Sequence, residues 1–265
     1  MPQDVAGIVR TIQGLLIHEH LAEVYGVTLS DADRQSVHLR PADEVLACVA
    51  ARDERPPSVP RPPEWRVPGN CRHYSVLLVT VLRARGVPAR ARCGFGDYFA
   101  EGRHEDHWVG EYWNAEQGRW VMVDAQLDEQ QRELFGIDFD GLDVPRDRFL
   151  VAGEAWARCR AGHADPDAFG LTVTDESGLW WIAGNLMRDA AALDAVEVLP
   201  WDTWGAMPAP DEKIGEERTA LFDELARLTR EPDQHADELR RRYADERLRV
   251  PPVVHNDLRD RDEAI

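Results

Sequence analysis

Apolar positions along the chain fall into periodic runs cut by glycines and prolines, and those runs predict the elements. Residues 1–25 carry Ile8, Ile12, Leu15, Leu16 and Leu21 at a roughly helical spacing, and Gly26 suits a C-terminal cap. Ser30-Asp31-Ala32-Asp33 can cap a new start, and Pro41 to Ala51 reads as a second helix. Six prolines (56, 57, 60, 62, 63 and 68) then make an extended connector in which no helix persists. The run Val76-Leu77-Leu78-Val79-Thr80-Val81-Leu82 predicts a buried helix from about Cys71 to Arg85, stopped by Gly86 and kept from restarting by Pro88. Ala89 to Phe95 reads as a short strand and Gly96 to Asp106 as a polar loop. His107 to Trp113 and Arg119 to Asp124, joined by the turn Asn114 to Gly118, read as a hairpin.

The pattern is weaker further on. Pro145 to Arg160 reads as helical around Phe149, Leu150 and Trp156, and Leu179 to Asp194 as helical around Trp180, Trp181, Ile182, Leu186 and Met187. Pro200 to Gly205 is a turn. From Asp211 the chain is charged, with Leu221, Phe222, Leu225 and Leu228 at helical spacing, and Asn256 to Ile265 reads as a frayed polar tail. No internal repeat is present.

Composition narrows the function classes. With 265 residues and 43 % hydrophobic positions the chain can bury a sizeable core. A net charge of −18 repels phosphate backbones and anionic membranes, so neither nucleic acid nor a membrane is an expected partner. Cys48, Cys71, Cys93 and Cys159 show no CxxC pairing and no zinc-ligand spacing. Met1-Pro2-Gln3-Asp4 lacks the basic start and apolar core of a signal peptide, and no apolar stretch approaches the ~20 residues that span a bilayer. The expectation is a cytoplasmic protein with reduced thiols.

Candidate chemistry centres on Cys71. It stands in Pro68-Gly69-Asn70-Cys71-Arg72-His73-Tyr74-Ser75, at the first turn of the predicted helix. Free amides at a helix start carry partial positive charge and favour the thiolate. Gly69 permits close approach of a backbone or substrate, and Asn70 can cap the helix or point into a cleft. His107 opens one strand of the hairpin and Asp124 closes the other. If Asn114 pairs with Arg119, partner numbers sum to 233 and Val109 lies opposite Asp124. His107 then shares a face with Asp124 as a diagonal neighbour. Pairing Trp113 with Gly118 would put His107 directly opposite Asp124, whereas a one-residue slip would separate the faces. A thiol, an imidazole and a carboxylate so placed suit a nucleophile, its base and the group that orients the base. The Cys71 N–H is a natural oxyanion donor, with Asn70 and Trp65 as candidates for the side-chain donor.

Other residues receive plainer readings. Cys48, Cys93 and Cys159 read as small hydrophobes. His18 and His20 are spaced i, i+2 and do not share a face of the predicted helix, so they are poor joint metal ligands, and His104-Glu105-Asp106-His107 lacks the HExxH spacing. Arg83, Arg85, Arg90 and Arg92 could attract a carboxylate or phosphopantetheine, but pairing with the protein's own acids is the simpler reading. Trp180, Trp181, Trp201 and Trp204 read as core rather than groove, and Tyr74 and Ser75 as packing and capping residues.

Gly69-Asn70-Cys71-Arg72-His73-Tyr74-Ser75, then Leu82 to Arg90, His107-Trp108-Val109 and Arg119 to Asp124, resemble the transglutaminase-like superfamily core over about residues 65–128. The resemblance implies an α+β, papain-like fold in which a helix bearing the cysteine packs on an antiparallel sheet bearing histidine and aspartate, with added helices at both ends. It implies Cys71, His107 and Asp124 as the triad, and no organic cofactor. Two departures stand out. Ala125-Gln126 follows the aspartate where proline is frequent, and His73 stands where an acidic residue is common. On this reading residues 1–205 form the catalytic domain, with an N-terminal helical part over 1–55, and 206–265 a charged helical extension.

The expected function is that of a cysteine-dependent hydrolase or acyltransferase acting on an amide or thioester carbonyl through an acyl-enzyme. Its substrate would be a small molecule, a peptide or a carrier-bound acyl group, with Asn70, Trp65 and Trp108 as candidate oxyanion or substrate-binding residues and no metal. The alternatives are a catalytically silent scaffold that keeps the fold, and metal-dependent hydrolysis, which would require bound zinc.

Overall fold

The computed structural model describes residue 2 and residues 4–265. Met1 and Gln3, which open the N-terminal segment read above, lie outside the described residues. The chain divides into two compact units, Met1–Ala91 with Val109–Val144, and Arg92–Trp108 with Pro145–Ile265. It is a mixed α/β structure of the α+β type.

In the first unit, helix α1 (Val5–Gln13) is capped by the Asp4 carboxylate, which accepts the Gly7 N–H. The helical spacing over 1–25 ends early. After Gly14 the chain turns extended as β1 (Leu16–His18) and then forms a 3-10 turn at Ala22–Tyr25. The cause is tertiary: β1 pairs in parallel with β2 (Val67–Gly69), Leu16 opposite Val67, Ile17 opposite Pro68 and His18 opposite Gly69. Backbone pairing at both strands outweighs the local helical pattern. Helix α2 (Ala42–Arg52) matches its expected span, and a 3-10 turn at Pro63–Trp65 is the helical content of the proline connector.

Helix α3 (Cys71–Arg83) is buried along most of its length. Tyr74, Leu77, Leu78 and Leu82 meet Ile8 and Ile12 of α1, Val45 and Val49 of α2, and Val121 and Val123 in one cluster. Strand β3 (Ala89–Gly96) begins in this unit, and β4 (His104–Asn114) ends in it. The end of β4 pairs antiparallel with β5 (Arg119–Val123), from Asn114 opposite Arg119 to Gly110 opposite Val123. Gly110 lets this strand approach α3, since a Cβ there would come within 2.8 Å of Leu78 Cδ2. Helix α4 (Glu129–Leu134) is capped by Asp128, whose carboxylate accepts the Gln131 N–H.

The second unit holds the other halves of β3 and β4. Here β3 pairs antiparallel with β6 (Phe149–Val151), β4 pairs parallel with β7 (Phe169–Leu171), and β7 pairs antiparallel with β8 (Glu176–Ser177), in the order β6-β3-β4-β7-β8. The sheet is therefore mixed, where the resemblance implies an antiparallel one. Phe149 and Leu150, read as helical, lie instead in β6, because Leu150 stands opposite Phe95 in the ladder. A Cβ on Gly94 would meet the Leu150 carbonyl oxygen at 2.2 Å, so this pairing needs glycine there.

Helix α5 (Ala152–Arg160) and helix α6 (Leu179–Leu193) follow, then β9 (Asp202–Thr203), α7 (Glu216–Arg230), α8 (Ala236–Tyr243), β10 (Val253–Asn256) and β11 (Arg261–Ala264). Trp156, Ile182, Leu186, Met187, Phe222 and Leu225 centre the core of this unit. The last residues are not a frayed tail. β10 and β11 form a hairpin, and β10 also pairs with β9, His255 opposite Thr203. Residues 206–265 thus lie in the same unit as α5 and α6. Among the described residues no helix is long and apolar enough to cross a membrane.

Candidate active site

Cys71 is the first residue of α3, 8 % exposed. The backbone just before it is held by two strand-like contacts. Glu19 N–H donates to the Gly69 carbonyl at 2.9 Å, extending the β1–β2 ladder, and the Ser36 hydroxyl donates to the Pro68 carbonyl at 2.6 Å. Asn70 has extended backbone and forms the N-cap. His73, one turn into the helix, reaches back to it: its Nδ1 lies 3.2 Å from the Asn70 N–H and 3.0 Å from the Asn70 Oδ1. This is a capping box with imidazole in place of the usual carboxylate or amide. A Cβ on Gly69 would stand 3.1 Å from the His73 ring and Cβ, so glycine there makes room for the imidazole. His73 is buried and held neutral, its pKa driven down to about 3, first by burial and then by the neighbouring Arg72 guanidinium.

Asp124 follows β5 and is 1 % exposed. Its N–H donates to the Gly141 carbonyl at 2.8 Å, and its Oδ1 accepts the Gln126 N–H at 3.0 Å. From there a side-chain chain runs outward. Gln126 donates to Gln131 at 3.0 Å, Gln131 donates to the Tyr25 hydroxyl at 3.0 Å, and that hydroxyl donates to Asp128 at 2.8 Å. Burial holds the Tyr25 phenol protonated well above its ordinary range. The segment 19–25 therefore bonds to both the Cys71 approach and the loop after Asp124. Sequence periodicity missed this segment, along with Gln126 and Gln131, because it read 15–21 as helix.

The β4–β5 ladder has partner numbers summing to 233, the first of the two compatible registers. It ends at Gly110 opposite Val123, so Asp124 is the first residue after β5 and His107 lies three residues before Gly110 on β4. Cys71 and Asp124 belong to the first unit, and His107 belongs to the second, just before the boundary inside β4. In its own unit His107 is 2 % exposed and edged by aromatic rings, 4.7 Å from Phe99, 5.9 Å from Tyr98 and 6.3 Å from Phe149 between centroids.

Trp65 is half exposed on the 3-10 turn before β2, free to face a solute. Trp108 is fully buried, with an indole N–H that meets no acceptor. The remaining cysteines differ from Cys71 in setting: burial pushes the Cys48 thiol up and the Cys159 thiol up to about 11. Among the described residues no group of three or more histidine, cysteine or acidic side chains is placed to hold a metal ion. Arg90 and Arg92 pair with the protein's own acids, Glu111 at 2.7 Å and Asp189 at 2.8 Å.

Comparison with known proteins agrees with the resemblance in the motifs. Residues 26–125 match the family model described as the transglutaminase-like superfamily. A curated protein-glutamine gamma-glutamyltransferase of Pseudomonas aeruginosa is 42 % identical over 65 residues, which is 21 % of this chain and 9 % of that protein. No solved structure matches. The stretch matched by the family model holds Cys71, His107 and Asp124.

Proposed function

We propose that this is a cytoplasmic cysteine enzyme that cleaves or transfers an acyl group from an amide or thioester, with Cys71 as nucleophile, His107 as its base and Asp124 orienting the imidazole. What supports the reading is Cys71 at the first turn of a helix whose start is braced by β1, together with a hairpin ladder that ends at Gly110 opposite Val123, Asp124 being the next residue after β5 and His107 lying three residues before Gly110. The Cys71 proton passes to His107, and the thiolate attacks the carbonyl carbon. The tetrahedral oxyanion is received by the Cys71 N–H and the Asn70 amide. Protonated His107 gives its proton to the departing amine or thiol, leaving a thioester on Cys71. Water or an amine, deprotonated by His107, then releases the acyl group. The relative's name suggests a glutamine side-chain amide as donor, with ammonia as the first product. Trp65 offers an exposed ring on which a peptide or acyl chain can rest.

The test is the alkylation rate of each cysteine against pH, read by peptide mass, in the wild type and in His107→Ala. Cys71 should react fastest, with an apparent pKa well below the ~8.5 of a free thiol, and lose that advantage in the variant. Cys48 and Cys159 serve as slow internal references. A Cys71 that reacts no faster than they do in folded protein would reject the enzyme and leave a silent scaffold.

A further inference from the structure

Helix α1, helix α4 and the segment 140–142, all in the first unit, enclose a cleft of about 350 Å3. That lies within the ~300–1,000 Å3 of small-molecule sites. Its floor is apolar: Val9 and Leu127 are each 4 % exposed, and Ala6 and Leu142 are half-buried. Its rim is charged. Arg10, Glu129 and Asp140 are exposed there, and Arg132 is half-buried. The helix spacing makes the stripe, since Ala6, Val9, Arg10 and Gln13 recur three and four apart on α1.

The two cations of the cleft differ from most others in the chain. Arg90, Arg92, Arg148 and Arg158 each hold a carboxylate. Among the described residues, Arg10 makes neither an ion pair nor a side-chain hydrogen bond. Arg132 donates from Nη2 to the Phe139 carbonyl at 3.0 Å, which fixes its guanidinium, but its Nε is buried without an acceptor and no carboxylate pairs with it. Asp128 and Glu129 stand four and three residues before Arg132, the spacing at which helical ion pairs close. Asp128 is occupied elsewhere, accepting the Tyr25 hydroxyl at 2.8 Å and the Gln131 N–H at 3.0 Å. Asp140 accepts the Leu142 N–H at 2.9 Å. Two of the three rim acids are thus satisfied by the protein's own donors, while both cations keep open N–H groups.

We propose that this cleft binds a small monocarboxylate with an apolar chain. The carboxylate sits between the Arg10 and Arg132 guanidiniums, whose paired N–H groups match its two oxygens. The chain covers Val9 and Leu127, removing their remaining apolar surface from water. Glu129 and Asp140 limit the ligand to one negative charge, because a second would face them. A ligand amine would meet the two guanidiniums instead. The cleft wall also includes Asp124 and Gly141, joined by the Asp124 N–H bond to the Gly141 carbonyl at 2.8 Å, so occupancy is readable at the Asp124 amide. Binding here needs no reaction at Cys71.

Sodium octanoate, titrated calorimetrically into the full chain at neutral pH and low salt, should bind one to one with a Kd of about 1 mM or below. Acetate, inorganic phosphate and octylamine should each bind at least about tenfold more weakly. Arg10→Gln, a change at an exposed position, should weaken octanoate about tenfold or more through loss of a charged hydrogen bond, and Arg132→Gln should do the same. Glu129→Gln should narrow the gap between octanoate and phosphate. In hydrogen exchange, octanoate should slow the Asp124 amide in wild type and leave it unchanged in Arg10→Gln. Absence of octanoate binding overturns the proposal. So does binding of equal strength in Arg10→Gln, which would put the ligand elsewhere, or phosphate binding as tight as octanoate, which would show that the apolar floor plays no part. Should Arg132→Gln fail to fold, Arg10→Gln and the exchange measurement decide alone.

Discussion

Acid should weaken this fold through His73, and the size of the effect follows from its burial. The imidazole is 1 % exposed at the start of α3, with Nδ1 turned to Asn70 and the carbonyls of Ser36 and Leu39 close by. Burial penalises the charged ring and the Arg72 guanidinium opposes it, which together outweigh the two carbonyls that would favour it. The folded pKa of about 3 stands against an ordinary value of 6.5. Below pH 6.5 the unfolded chain takes up a proton that the folded chain refuses, so stability falls as pH drops and levels off only below pH 3. Each pH unit in that window costs about 1.4 kcal/mol, and crossing all of it costs about 5 kcal/mol, a large share of the ~5–15 kcal/mol of a typical domain. His73→Gln retains an acceptor for the Asn70 N–H and cannot titrate. Urea unfolding of both proteins between pH 7.5 and 4.5 isolates the effect, because every shared carboxylate cancels in the difference. The wild-type curve should lose about 2 kcal/mol more than the variant between pH 6 and 4.5. Parallel curves would mean that His73 is protonated within the folded chain, and the account of a neutral buried cap would fail.

Two further changes probe the frame around the site. Arg92→Met should destabilise the second unit by about 3–5 kcal/mol, because Asp189, fully buried and accepting also the Cys93 N–H at 3.0 Å, would lose its cation; adding Asp189→Leu should recover most of the loss. A cost below about 1 kcal/mol for the single change in urea unfolding would contradict this pairing. Tyr25→Phe removes the donor to Asp128 and the acceptor of Gln131 together. It should cost about 1–3 kcal/mol and speed amide exchange at Gln126 and Gln131, and unchanged exchange there would show that Tyr25 does not brace the loop after Asp124.

What could be read from sequence divides along the range of the interactions involved. The β4–β5 hairpin was legible because its strands are joined by a short turn, so alternation and turn length together limit the register to a few choices, and the observed ladder is one of them. Helix α3 was legible because one continuous apolar run drives it. Strand β1 was not, because its three residues gain their structure from a partner about fifty positions away, and Leu15, Leu16 and Ile17 are as apolar as a helix face would be. The C-terminal hairpin was hidden for the same reason. Its residues are mostly charged, and its order comes from pairing with β9 and from contacts such as Arg259 with Glu263.

The division has a functional side. Cys71 opens α3, Asp124 directly follows β5 and His107 lies near the start of β4, where local pattern announces them. The groups that brace the backbone around Cys71 and Asp124 arrive on short segments held by non-local backbone bonds. Glu19 reaches the Gly69 carbonyl only because three residues of β1 pair with three of β2, and Tyr25 reaches the Asp124 loop only because the chain turns at Ala22–Tyr25 soon afterwards. A chain could therefore keep its Cys71, His107 and Asp124 pattern intact while changing what holds the backbone before Cys71 and the loop after Asp124 through a few residues between 18 and 25, which no motif over 65–128 would register.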